Sequence, residues 1–91
     1  MFALVVRFDL HDQAAAAQFD ALTGELAQHI ASKEPGTLVY ATHTVEDAPL
    51  ARLFYEVYVD RAAFNSHNQT EHVRGPHLFV DARCTVATDN N

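Results

Sequence analysis

The sequence predicts an α+β domain of four strands and two helices, in the order strand, helix, strand, strand, helix, strand. Three observations carry this. Apolar residues alternate at the start of the chain, recur at three- and four-residue spacing after Asp12, and alternate again through most of the second half. Only one short helical stretch interrupts that second run. At 91 residues the chain makes one domain, spanning residues 1–91. So short a chain buries a modest fraction of its surface, which makes burial against a second copy a natural source of stability.

Phe2, Leu4, Val6, Phe8 and Leu10 alternate against Ala3, Val5, Arg7 and Asp9, the period-two signature of a strand with one strongly buried face. From Asp12 the period changes. Four successive alanines favour helix, Phe19, Leu22, Leu26 and Ile30 form one stripe, and Asp12 is placed to cap the start. Glu34-Pro35-Gly36 ends the helix, because a residue before proline is pushed out of the helical region.

Residues 37–46 alternate with Leu38, Tyr40, Thr42 and Thr44 on one face and Val39, Ala41, His43 and Val45 on the other. Asp47-Ala48-Pro49 is read as a turn, and residues 52–59 as a third strand, with Phe54, Glu56 and Tyr58 opposite Leu53, Tyr55, Val57 and Val59. Asp60 caps a short helix over residues 61–69, in which Phe64 and His67 share a face. Gly75-Pro76 breaks the chain, and Phe79–Thr88 supplies the last strand with Val80, Cys84 and Val86. This order is the ferredoxin-like split βαβ arrangement. Two helices cover one face of such a sheet, while both faces of the middle strands are apolar, so the sequence predicts a homodimer packed through the open face.

Composition narrows the function. Hydrophobic residues at 48% with 20% charged describe a soluble globular protein, and the net charge of −6 repels nucleic acid and anionic membrane surfaces. The N-terminal residues lack the pattern of an export signal, so a cytoplasmic location is expected. Cys84 is the single cysteine and is read as a packing residue. No phosphate loop, nucleophile elbow, CxxC or HExxH pattern is present. His67, His72 and His77 recur every five residues, a spacing that does not stack ligands on a helix face, so neither a metal nor a cofactor is expected.

Glu56 is the most informative residue. A carboxylate between Phe54 and Tyr58 on a covered face must be hydrogen-bonded or paired, and Arg7, Arg52 and His67 are its candidate partners. His67 is a candidate general base whose helical face is turned inward by Phe64, and the strand carrying Glu56 leads straight into its helix. Glu56, Tyr58, Phe64 and His67 are therefore expected to border one pocket, the carboxylate fixing the imidazole. Tyr40 is read equally as core ring and cavity wall, and His72 as a helix-end residue.

"EPGTLVY" at 34–40 and "RLFYEVYVDRAAFNSHNQTEHV" at 52–73 resemble the antibiotic biosynthesis monooxygenase family, in its quinol-oxidising branch. The resemblance implies a dimeric ferredoxin-like α/β barrel and a cofactor-independent oxygenase acting on a hydroquinone or polyphenol with dioxygen. It pairs His67 with His72 as catalytic histidines, puts Tyr58 where many members line the cavity with tryptophan, Phe64 at an often aromatic position, and Phe54 at a substrate-contacting one. The expected catalytic set is thus His67, His72, Glu56 and Tyr58, with Phe54, Phe64 and Tyr40 binding substrate. Two other classes share the frame: an enzyme that moves protons beside a small carbonyl compound, and a dimer that binds a small ligand without turnover.

Overall fold

The computed structural model describes residues 1–71 and 78–88, and for residues 69–71 the backbone alone. The elements are β1 (Phe2–Leu10), α1 (Gln13–Lys33), β2 (Thr37–Val45), β3 (Ala48–Tyr58), α2 (Arg61–Glu71) and β4 (Phe79–Thr88). The strands form one antiparallel sheet in the order β2-β3-β1-β4. The ferredoxin-like α+β expectation is met, with both helices on one face.

Each element starts for a local reason. Asp12 is extended, and its Oδ1 accepts from the Ala15 amide at 2.8 Å, satisfying a donor that the first helical turn leaves orphaned. Asp60 does the same for α2 through the Ala63 amide at 2.8 Å. Phe2, Leu4, Val6, Phe8 and Leu10 are all buried beneath the helices, as their alternation requires. Phe8 packs against Phe19, Phe54 and Phe79 at ring separations of 5.0, 5.1 and 5.2 Å, tying both neighbouring strands and α1 into one core.

The hairpin is longer than its sequence suggests. Asp47 has φ 64°, closing a tight turn, and β3 begins at Ala48 rather than at Arg52. The pairing passes from Val45 with Ala48 to Thr44 with Arg52, so Pro49 falls in a bulge, where its missing N–H breaks no ladder bond. β4 also departs from expectation. Val6 pairs with Cys84 and Leu4 with Val86, which puts both on the helix side of the sheet, yet β4 is an edge strand and both are exposed. Cys84 is therefore not a core packing residue within this chain.

The opposite face of the sheet is uncovered. Val5, Val39 and Tyr55 lie there, 39%, 38% and 44% exposed, in adjacent strands. No helix among the described residues is long and apolar enough to cross a membrane.

Candidate active site

Glu56 and Tyr58 stand two residues apart on β3, so both side chains enter the space beneath the helices. There they meet. The Tyr58 hydroxyl donates to Glu56 Oε1 across 2.5 Å, and neither residue has any exposed surface. Burial, then the hydrogen bond to the Glu56 carboxylate, push the Tyr58 phenol far above its ordinary range. It is held neutral as a donor.

His67 closes the group from α2. Its Nε2 lies 3.5 Å from Glu56 Oε1, and its ring is 5.4 Å from the rings of both Tyr58 and Tyr40. Of the three cations or imidazoles expected as partners of Glu56, the structure selects this one. Arg7 pairs with Asp9 at 3.2 Å, and Arg52 is bound in bidentate fashion by Asp20 at 2.8 and 2.9 Å.

The other imidazole nitrogen meets a residue that the sequence reading used only as a stop signal. His67 Nδ1 donates to Glu34 Oε1 across 2.9 Å. Glu34 is the C-cap of α1, its amide bonded to the Ile30 carbonyl at 3.0 Å, and Thr37 Oγ1 also donates to Glu34 Oε1 at 2.9 Å. Gly36 makes this approach possible, since a Cβ there would lie 2.7 Å from Ala63 Cβ on α2. The signal available in the sequence was topological: a three-residue step from Glu34 reaches Thr37, which pairs with Tyr58, from which the chain passes directly into α2.

The result is a chain of Glu34, His67, Glu56 and Tyr58, fully buried except at Glu34. Both carboxylates retain an oxygen, Glu34 Oε2 and Glu56 Oε2, that accepts no hydrogen bond among the described residues. A buried carboxylate oxygen left open is an acceptor in want of a donor, since an ionised carboxylate can only accept.

The predicted aromatic residues surround this chain unequally. Phe64 is partly buried and stacks on Phe2 at 4.9 Å while meeting Tyr58 at 5.4 Å. Tyr40, also partly buried, contacts His67 and lies 5.8 Å from Phe54. Phe54 is a core ring, 1% exposed, and forms part of a separate cleft of about 290 Å³ between α1 and the β2–β3 hairpin. A second cleft of about 250 Å³ borders Glu34, Gly36, Thr37 and Ser66. His72 and His77 lie outside the described residues. No group of three or more metal-ligating side chains is arranged to hold an ion among the described residues.

A four-stranded antiparallel sheet with two helices over one face, and a cluster of carboxylate, imidazole and phenol side chains between them, define a ferredoxin-like domain. The chain belongs to the antibiotic biosynthesis monooxygenase family, whose model matches residues 1–77. Its fold is shared with solved structures at low sequence identity. An antibiotic biosynthesis monooxygenase superposes with TM-score 0.82 at 22% identity, covering 100% of both chains. A Caulobacter crescentus protein provisionally named for the same family gives 0.83 at 20%, covering 99% of this chain and 90% of its own. SnoaB, a cofactor-independent oxygenase from Streptomyces nogalater, gives 0.79 at 19%, covering 99% and 93%. No curated protein matches the chain in sequence.

Proposed function

We propose that the protein is a cofactor-independent monooxygenase for a small electron-rich aromatic compound of the hydroquinone or polyphenol class, working as a homodimer. One observation supports the reading: Glu56 and His67 are both fully buried, with His67 Nε2 3.5 Å from Glu56 Oε1, and the Tyr58 hydroxyl donates to the same carboxylate oxygen. Membership of the family supports the oxygenase chemistry, and the cofactor-independent activity of the similarly folded SnoaB supports the absence of a helper group.

In this reading the substrate ring enters beneath the helices and its phenolic hydroxyl donates to Glu56 Oε2, a buried oxygen that accepts no hydrogen bond among the described residues. The Glu56–His67 unit removes that proton, and His72 is the second base. The resulting phenolate is a far better electron donor than the phenol, and it passes electrons to dioxygen held beside it. One oxygen atom enters the ring. The other leaves as water with two hydrogens from the substrate, which supplies all the electrons. Tyr58 keeps Glu56 aimed, Tyr40 and Phe64 supply ring contacts, and Phe54 backs the Tyr40 ring from the core. The exposed apolar face of Val5, Val39 and Tyr55 is the surface through which two copies pack.

The test is oxygen uptake by purified, metal-free protein with a panel of hydroquinones and anthrones. Uptake with hydroxylated product supports the reading. Turnover of a carbonyl substrate that is unchanged under nitrogen would assign proton transfer without oxidation instead, and binding without turnover would leave a ligand-binding dimer.

A further inference from the structure

We propose that Glu34 is the outer end of a proton relay, connecting the buried Glu56–His67 unit to water through the cleft between the end of α1 and α2. The inference rests on the acid–base reading above and adds a route by which protons reach and leave it.

Three observations place the relay. First, His67 touches a carboxylate at each nitrogen, Glu34 Oε1 at 2.9 Å from Nδ1 and Glu56 Oε1 at 3.5 Å from Nε2. Imidazole is the side chain that can accept a proton at one nitrogen and release another from the second. Second, exposure rises along the chain in one direction only: the side chains of Glu56 and His67 are 0% exposed and that of Glu34 is 13% exposed. Third, the cleft of about 250 Å³ is lined by Glu34 together with Lys33, Gly36, Thr37 and Ser66. Thr37 Oγ1 and His67 Nδ1 both donate to Oε1, so the carboxylate is held with a defined orientation.

A proton passed from substrate to the buried base stays beside the anion it left and can return to it, so a route that carries it on to water frees the base for the next step. The relay supplies that route. One proton arrives at His67 Nε2, another leaves Nδ1 for Glu34 Oε1, and Glu34 releases it to water in the cleft. No electrons move and no bond other than N–H and O–H changes. The imidazole is left as its other tautomer, and the reverse passage that returns a proton to the departing oxygen restores it. Among the described residues, the titratable and charged groups along this path are Lys33 at the end of α1, Glu34 at its C-cap, Tyr40 from β2, and Glu56 and Tyr58 from β3.

Glu34 is a positioning residue in the sense that it acts through His67. The experiment is therefore made on the resting protein, without substrate: solvent exchange of the His67 imidazole N–H, followed by NMR on nitrogen-labelled protein. Glu34→Gln keeps an oxygen to accept from His67 and Thr37 but cannot carry the proton. Exchange should slow on the order of a hundredfold, the scale of a lost acid–base group. Ser66→Phe, which fills the mouth of the cleft and leaves every member of the relay in place, should also slow it. In Glu34→Ala, added formate should enter the vacated space and restore exchange, with little effect on the wild type. Unchanged exchange in both Glu34→Gln and Ser66→Phe, with native amide spectra, would overturn the relay. Slowed exchange in a protein that takes up no oxygen with any aromatic would leave the relay standing and remove the oxygenase reading.

Discussion

The Tyr58 hydroxyl donates to Glu56 Oε1 across 2.5 Å, in a pocket where neither side chain meets solvent. The two residues stand two apart on β3, on the same face of the sheet, and their pairing sets what each group can do. Tyr58 remains a neutral donor, and Glu56 is left with one buried oxygen, Oε2, that accepts no hydrogen bond among the described residues.

Replacing Tyr58 with Phe removes that donor while keeping the ring. A buried carboxylate that loses a hydrogen bond costs about 1–3 kcal/mol. Urea denaturation should show a loss in this range, with native-like contacts to Phe64 and His67 preserved. Turnover should fall with it.

The Tyr58 phenol also sets a limit at high pH. Its folded pKa is raised far above the unfolded value of about 10, so the folded state keeps a proton that the unfolded state loses. Its contribution is complete below about pH 10 and declines as the pH climbs from there towards the folded pKa. Stability followed by denaturation across this window should fall more steeply in the wild type than in Tyr58→Phe. Tyrosinate absorbance from Tyr58 should appear together with unfolding.

Gly36 controls the approach of α2 to Glu34. A methyl at Gly36 would sit 2.7 Å from Ala63 Cβ, with Val59 Cγ1 a further neighbour at 3.4 Å. Gly36→Ala should cost about 1–3 kcal/mol through overpacking. Adding Ala63→Gly should recover part of the loss, and calorimetry of the singles and the double mutant gives the coupling.

The open sheet face predicts an assembly defect. Charging it with Val5→Lys and Tyr55→Lys places ammonium groups where two copies would pack, so sedimentation should shift from dimer to monomer while the helix-side site is untouched. A wild type that sediments as a monomer would remove the dimer.

Much of the fold was legible because it rests on local rules. The period of two in Phe2–Leu10 and the capping by Asp12 and Asp60 are properties of short windows, and the structure realises them. The alternation through Phe54, Glu56 and Tyr58 placed two members of the buried chain, and the Phe64–His67 spacing placed a third. Glu34 was hidden because its contact with His67 spans thirty-three residues of sequence, and because a glutamate before Pro-Gly reads as a helix end. It is that as well. The exposure of Cys84 was equally beyond a window reading, since it follows from β4 lying at the sheet edge beyond the cover of the helices.

The central claim is that Glu56 and His67 act as one unit on the substrate. A double-mutant cycle on the rate of oxygen uptake tests it directly, using Glu56→Gln, His67→Asn and the combined variant with the best substrate of the aromatic panel. Groups that work together lose most of the activity when either is removed, so each single variant should fall by about a hundredfold or more, and the double variant should be no slower than the slower single. Losses that multiply in the double variant, or single variants that turn over at the wild-type rate, would contradict it.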